Sequence, residues 1–98
     1  MPVAPTTVGK QNTQPLAVNT TVAYQTPSAS GGAAGTWNWE LLNLGPGYLW
    51  VRWDGQDPVP NDPASLTLPP LTAYGPANTN RLAVATDTEA TTITFAAG

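Results

Sequence analysis

The chain is 98 residues long, with three basic and six acidic side chains for a net charge of -3 and neither cysteine nor histidine. Disulfides, thiolate metal sites and histidine-based acid–base or metal chemistry are therefore excluded. Three cations are too few to neutralise a nucleic-acid backbone, and no apolar run approaches the ~20 residues of a membrane-spanning helix. Neither nucleic acid nor membrane is expected as a partner. The N-terminus lacks a basic stretch followed by an apolar one, so no signal peptide is read and synthesis in a cytoplasm is expected. Charged residues usually make up about a quarter of a chain, and far fewer are present here. The surface must be largely Thr, Asn, Ala and Pro, which suits a subunit packed among others.

Residues 1–15 combine Pro2, Pro5 and Pro15 with Thr, Val, Gln and Asn and show no helical period. They read as an extended arm, either frayed or lying along a neighbouring subunit, ahead of a single β-domain over 16–98. From Leu16 to Tyr24 the apolar residues Leu16, Val18, Val22 and Tyr24 fall on even positions, the period of a half-buried strand. Asn19-Thr20-Thr21 matches a glycosylation acceptor and is read as strand sequence. Pro27 to Gly35, rich in Ser, Gly and Ala, reads as a flexible loop.

Gly35 to Gly55 holds all four tryptophans. Two alternating runs flank Gly45-Pro46-Gly47, and they read as a hairpin. A three-residue loop would pair Leu44 with Tyr48, Leu41 with Val51, Glu40 with Arg52 and Trp39 with Trp53. Trp37, Trp39, Leu41, Leu49, Val51 and Trp53 would then form the core face. The opposite face would carry Asn38, Glu40, Leu42, Leu44, Tyr48, Trp50, Arg52 and Asp54. That second face is too apolar to leave wet and too charged for an interior, so Leu42, Leu44, Tyr48, Trp50, Glu40 and Arg52 are the candidate interface residues.

The loop 54–63 has three prolines and the aspartates Asp54, Asp57 and Asp62. Their spacing does not follow a calcium loop, and Asp or Asn before Gly or Pro is turn chemistry. Leu66, Leu68 and Leu71 around Pro69-Pro70 read as an edge strand, because proline cannot donate to a ladder. Thr72 to Asn80 reads as turns. Arg81 to Phe95 reads as a second hairpin, with Leu82 and Val84 facing Phe95 and Ile93 and a loop at Asp87 to Ala90. The sum is five or six strands and no helix: an all-β fold, a small antiparallel β-sandwich or a jelly-roll-like barrel.

Catalysis is not expected. No histidine is present to activate a Ser or Thr, no phosphate loop precedes a helix, and turns or ion pairs account for the acids. No cofactor and no metal are expected. A sheet surface bearing Tyr48, Trp50 and Trp37 beside Glu40, Asn38 and Arg52 also suits stacking on carbohydrate.

Residues 36–95 resemble the small all-β accessory proteins of tailed-phage virions, of the capsid decoration or cement type. The resemblance rests on Leu41-Leu42-Asn43-Leu44, Tyr48-Leu49-Trp50-Val51-Arg52, the Leu66-to-Pro70 exit and the closing run Arg81-Leu82-Ala83-Val84-Ala85-Thr86 with Phe95. It implies a non-enzymatic structural protein of a bacteriophage virion, made in the host cytoplasm. Such a protein binds the major capsid protein, commonly as a homotrimer. The tryptophan density exceeds that of the group and keeps a second expectation in place, a carbohydrate-binding or host-recognition module of a tail or fibre.

Overall fold

A computed structural model describes residues 3–27 and 35–97. These residues contain no helix and nine strands: β1 (Thr6–Thr7), β2 (Gln11–Leu16), β3 (Thr21–Gln25), β4 (Trp37–Pro46), β5 (Leu49–Arg52), β6 (Leu66–Leu68), β7 (Thr72–Thr79), β8 (Arg81–Ala85) and β9 (Thr91–Ala97). One sheet has the order β1-β3-β8-β5-β6 and the other β2-β9-β4-β7. Every pairing is antiparallel except that of β1 with β3. Both sheets keep free edges, so the fold is a β-sandwich and not a closed barrel.

The expected core face is the observed one. Trp39, Leu41, Leu49 and Val51 are buried, and they pack with Leu82, Val84, Ile93 and Phe95 between the sheets. Trp39 donates its indole N–H to the Thr79 carbonyl at 2.9 Å, and its ring lies 5.2 Å from that of Phe95. Phe95 in turn meets Tyr24 at 5.0 Å. Burial pushes the Tyr24 phenol up to about 12. Trp37 and Trp53 are half-buried at the core margin, where Trp53 stacks on Tyr74 at 4.9 Å.

The expected hairpins are not formed. β4 pairs with β7 and β9, whereas β5 pairs with β6 and β8 in the other sheet. Residues 45–48 therefore form an arch that carries the chain across the sandwich. Residues 86–90 do the same between β8 and β9, so Leu82 and Val84 meet Ile93 and Phe95 across the core and not along a ladder. Every connection except that from β5 to β6 passes between sheets. Alternation decides which side chains point inward, but it is the same for a hairpin and an arch.

Three further expectations are corrected. The stretch 1–15 is not a separate arm over its described part, because β1 edges one sheet and β2, which runs through residue 15, edges the other. Lys10 lies 5.7 Å over the Trp37 ring, and its carbonyl accepts the Ala97 N–H at 2.8 Å. The strand expected from Leu16 to Tyr24 is broken at 17–20, where Asn19 takes a φ of 49° and the chain changes sheets. Thr72 to Thr79 is an edge strand and not a run of turns. Its ladder to β4 shifts register between Trp39 and Leu41, so Gly75 and Pro76 lie together opposite Glu40 as a bulge. β6 is an edge strand, as expected, and ends just before Pro69-Pro70. The loop expected at 27–35 falls largely outside the described residues.

Candidate functional site

The turn at 17–20 and the arches at 45–48 and 86–90 meet with the β6–β7 connection at one end of the sandwich, and Asn43 organises their junction. It continues the inward phase of Trp39 and Leu41 but is an amide, fully buried. Its Nδ2 donates to the carbonyls of Gly47 and Leu68, each at 2.9 Å. Its Oδ1 accepts from the Gly45 N–H at 3.0 Å and the Thr91 hydroxyl at 2.5 Å. Its backbone carbonyl takes the Leu71 N–H at 2.6 Å. One side chain thus satisfies groups from the first arch, from β6 and from Thr91 of β9, where the second arch ends. A buried amide left unpaired would cost about 1–3 kcal/mol per lost partner, so the network is complete or ruinous.

Gly47 completes the junction. Its N–H donates to the Ala90 carbonyl at 3.1 Å, and a Cβ there would lie 2.7 Å from the carbonyl oxygens of Glu89 and Ala90. Only glycine lets the two arches approach this closely. The turn at 17–20 is tied in as well, since the Asn19 N–H donates to the Asp87 carbonyl at 2.7 Å.

A cleft of about 510 Å³ opens beside the junction, lined by Tyr48, Trp50, Asn61, Asp87, Thr88 and Glu89. Tyr48 stands just before β5 and is 51% exposed; Trp50, two residues on, is 6% exposed with its ring 6.4 Å away. Trp50 points away from the core, between Thr67 of β6 and Ala85 of β8. Asn61 comes from the β5–β6 loop in a left-handed conformation (φ 64°) and donates to Asp87 Oδ2 at 3.4 Å. Hydrogen bonds from the Asp62 N–H to Val59 O (3.1 Å), the Ser65 N–H to Asp62 O (3.0 Å) and the Val59 N–H to Ser65 Oγ (3.0 Å) hold that loop. Trp50 Nε1 is buried and has no hydrogen-bond partner among the described residues. An orphaned donor of this kind costs about 1–3 kcal/mol, and a rule obeyed nearly everywhere else in folded chains is broken at the edge of a cleft.

The six candidate interface residues do not share one face. Glu40, Leu42 and Leu44 lie on the outer side of the four-stranded sheet, whereas Trp50 and Arg52 lie on the outer side of the five-stranded one. Tyr48 joins Trp50 at the cleft. The Glu40–Arg52 pairing is not made: Arg52 instead donates from Nε to Asp54 Oδ1 at 3.0 Å and from a second nitrogen to Oδ2. That hydrogen bond holds the Asp54 carboxyl below its ordinary value. The residues of the sugar-stacking surface are likewise divided, with Trp37, Asn38 and Glu40 on β4 of the other sheet.

The loop acids all have protein partners. Asp57 accepts from Arg81 at 2.6 Å and from the Val3 N–H at 2.7 Å, and Arg81 also donates to the Val3 carbonyl at 3.0 Å. Asp62 accepts from the Ala64 N–H at 2.8 Å, a turn contact. Among the described residues no cluster of three acidic side chains is arranged to hold a metal. Asn61, Asp87, Thr88 and Glu89 enter the cleft without having been singled out, since their roles depend on the arches. Asn43 had a legible signal, a polar residue on the buried phase of a strand.

The fold defines a small β-sandwich with one elaborated end. Compared with protein families, curated proteins and solved structures, the chain matches none.

Proposed function

We propose that this chain is a non-enzymatic structural protein of a phage virion that decorates and stabilises the capsid through subunit–subunit contacts. The resemblance supplies the class, and the exposed apolar rim of the sandwich supplies the physical support. Leu44, Tyr48 and Leu71 are 40%, 51% and 78% exposed, and each stems from a residue bonded to Asn43 or next to one. A single exposed leucine is ordinary. Leu71, however, also holds a φ of 60°, a conformation costing a non-glycine residue roughly 1–3 kcal/mol. Asn or Gly would hold that backbone more easily, and the leucine side chain packs on nothing inside. Its value lies outside the fold, on a partner.

The contact surface in this reading is the arch end and not the flat face of one sheet. Mixing the full chain with undecorated phage capsids, followed by sedimentation and light scattering, tests it. The expected result is co-sedimentation as an oligomer, with Leu71→Asn binding about tenfold more weakly while unfolding at the same or a higher temperature. A monomer that stays in the supernatant, or a Leu71→Asn variant that binds as the parent does, overturns the reading. The alternative, a carbohydrate-binding module of a tail or fibre, draws on the adjoining Tyr48–Trp50 cleft, which shares Tyr48 with the rim.

A further inference from the structure

We propose that the cleft beside the arches binds a neutral saccharide, with Tyr48 as its stacking platform, Trp50 as the wall beside it, and the Asp87 and Glu89 carboxylates as hydrogen-bonding groups. The inference rests on the carbohydrate-binding alternative and shares Tyr48 with the capsid rim, so it is tested by sugar binding alone. The cleft's volume of about 510 Å³ falls in the range of small-ligand pockets, roughly 300–1,000 Å³. Its lining is an aromatic wall and polar groups converging from three separate connections, not a stripe of apolar side chains. A pyranose presents the complement: a C–H face that packs on an aromatic ring, and a girdle of hydroxyls that donate to carboxylates and accept from N–H groups.

The charge of the lining narrows the ligand. Asp87 and Glu89 line the cleft and no cation does, in a chain of net charge -3. Uronic acids, sialylated sugars and phosphates would meet uncompensated negative charge, so the ligand is neutral. Trp50 is 6% exposed, lines the cleft and keeps an indole N–H with no acceptor. The nitrogen itself is shielded from the cleft, so Trp50 serves as the wall beside Tyr48, and its N–H resonance reports a ligand seated against that wall. The 3.4 Å contact from Asn61 to Asp87 is long for a hydrogen bond. It is a contact that a sugar hydroxyl replaces at little loss, freeing both the amide and the carboxylate for the ligand.

The test is titration of the isotope-labelled full chain with maltotriose, cellotriose, mannotriose and N-acetylchitotriose, and with trigalacturonate as the anionic control. The readout is the Trp50 indole N–H resonance, assigned by its loss in Trp50→Phe. The expected result is a saturable shift with at least one neutral oligosaccharide at millimolar concentration and none with trigalacturonate. Tyr48→Ala, an exposed position, should weaken that binding by about tenfold with the fold intact. Silence from all four neutral sugars, unaltered affinity in Tyr48→Ala, or equal binding of trigalacturonate overturns the proposal.

Discussion

Thr91 donates its hydroxyl to Asn43 Oδ1 at 2.5 Å, and through this contact the β8–β9 arch is fastened to the β4–β5 arch. Asn43→Ala would strip partners from Gly45, Gly47, Leu68 and Thr91 together. It should lower unfolding free energy by about 3 kcal/mol or more in urea titration. Thr91→Val removes one donor and should cost about 1 kcal/mol. An Asn43→Ala protein as stable as Thr91→Val would show that the junction is not held by this amide.

Stability should fall at both ends of the pH scale for separable reasons. Burial alone would raise the Asp57 carboxyl, but the Arg81 hydrogen bond and charge and the Val3 N–H outweigh it and set it below its ordinary 3.8. Its contribution is full above 3.8 and is lost as pH falls through the lower folded-state value. Asp57→Asn should cost roughly 2 kcal/mol at neutral pH and flatten the acid limb. Tyr24 behaves in the opposite sense: its folded value of about 12 exceeds the ordinary 10.0, so stability is full below 10.0 and is lost as pH rises towards 12. Tyr24→Phe should flatten the alkaline limb. Unchanged limbs in denaturant titrations across pH would remove these assignments.

The two buried indoles should respond differently to loss of their N–H. In Trp39→Phe the hydrogen bond to Thr79 O is lost and the carbonyl is left in the core. Trp50→Phe loses no bond and removes an orphaned donor, which offsets the smaller ring. Trp39→Phe should be the more destabilising by about 2 kcal/mol. Trp50→Ala is a core-type truncation at a residue 6% exposed and should cost about 3 kcal/mol or more of folding stability. Trp50, read from the sequence as an interface or sugar-stacking residue, is therefore also a structural one.

The inward set Trp39, Leu41, Leu49, Val51, Leu82, Val84, Ile93 and Phe95 was legible because a period of two survives any choice of strand partner. The partners were not legible. A Gly-Pro-Gly loop and an Asp-Thr-Glu-Ala loop look like hairpin turns by composition, and what makes each an arch lies far away in sequence. Gly47 bonds to Ala90, Thr86 donates its N–H to Thr20 O at 2.8 Å, and β7 and β9 occupy both edges of β4. The cleft inherits that difficulty. Tyr48 and Trp50 stood out as aromatics on the outward phase, whereas Asp87 and Glu89 reach them only because the sheet-crossing β8–β9 segment, and not a hairpin turn, carries them there.

Gly75 carries the last prediction. It takes a φ of 137° opposite Glu40, and a Cβ there would lie 2.5 Å from the Trp39 carbonyl oxygen and 3.0 Å from the Glu40 Cα. Both neighbours are backbone of β4, the central strand of the junction, so they cannot rotate aside. Gly75→Ala should cost about 3 kcal/mol, from the strained backbone and the clash together. Gly9→Ala meets nothing within 4 Å and should change stability by less than about 0.5 kcal/mol. Pro76 in the same bulge has no N–H to donate, and a proline on the edge strand β7 discourages another chain from adding a strand there. Thermal unfolding of the two variants, with light scattering of Pro76→Ala, checks both halves. A Gly75→Ala protein that melts with the parent would mean that β7 relaxes away from β4. A Pro76→Ala protein that stays as monodisperse as the parent would mean that the bulge alone protects the edge.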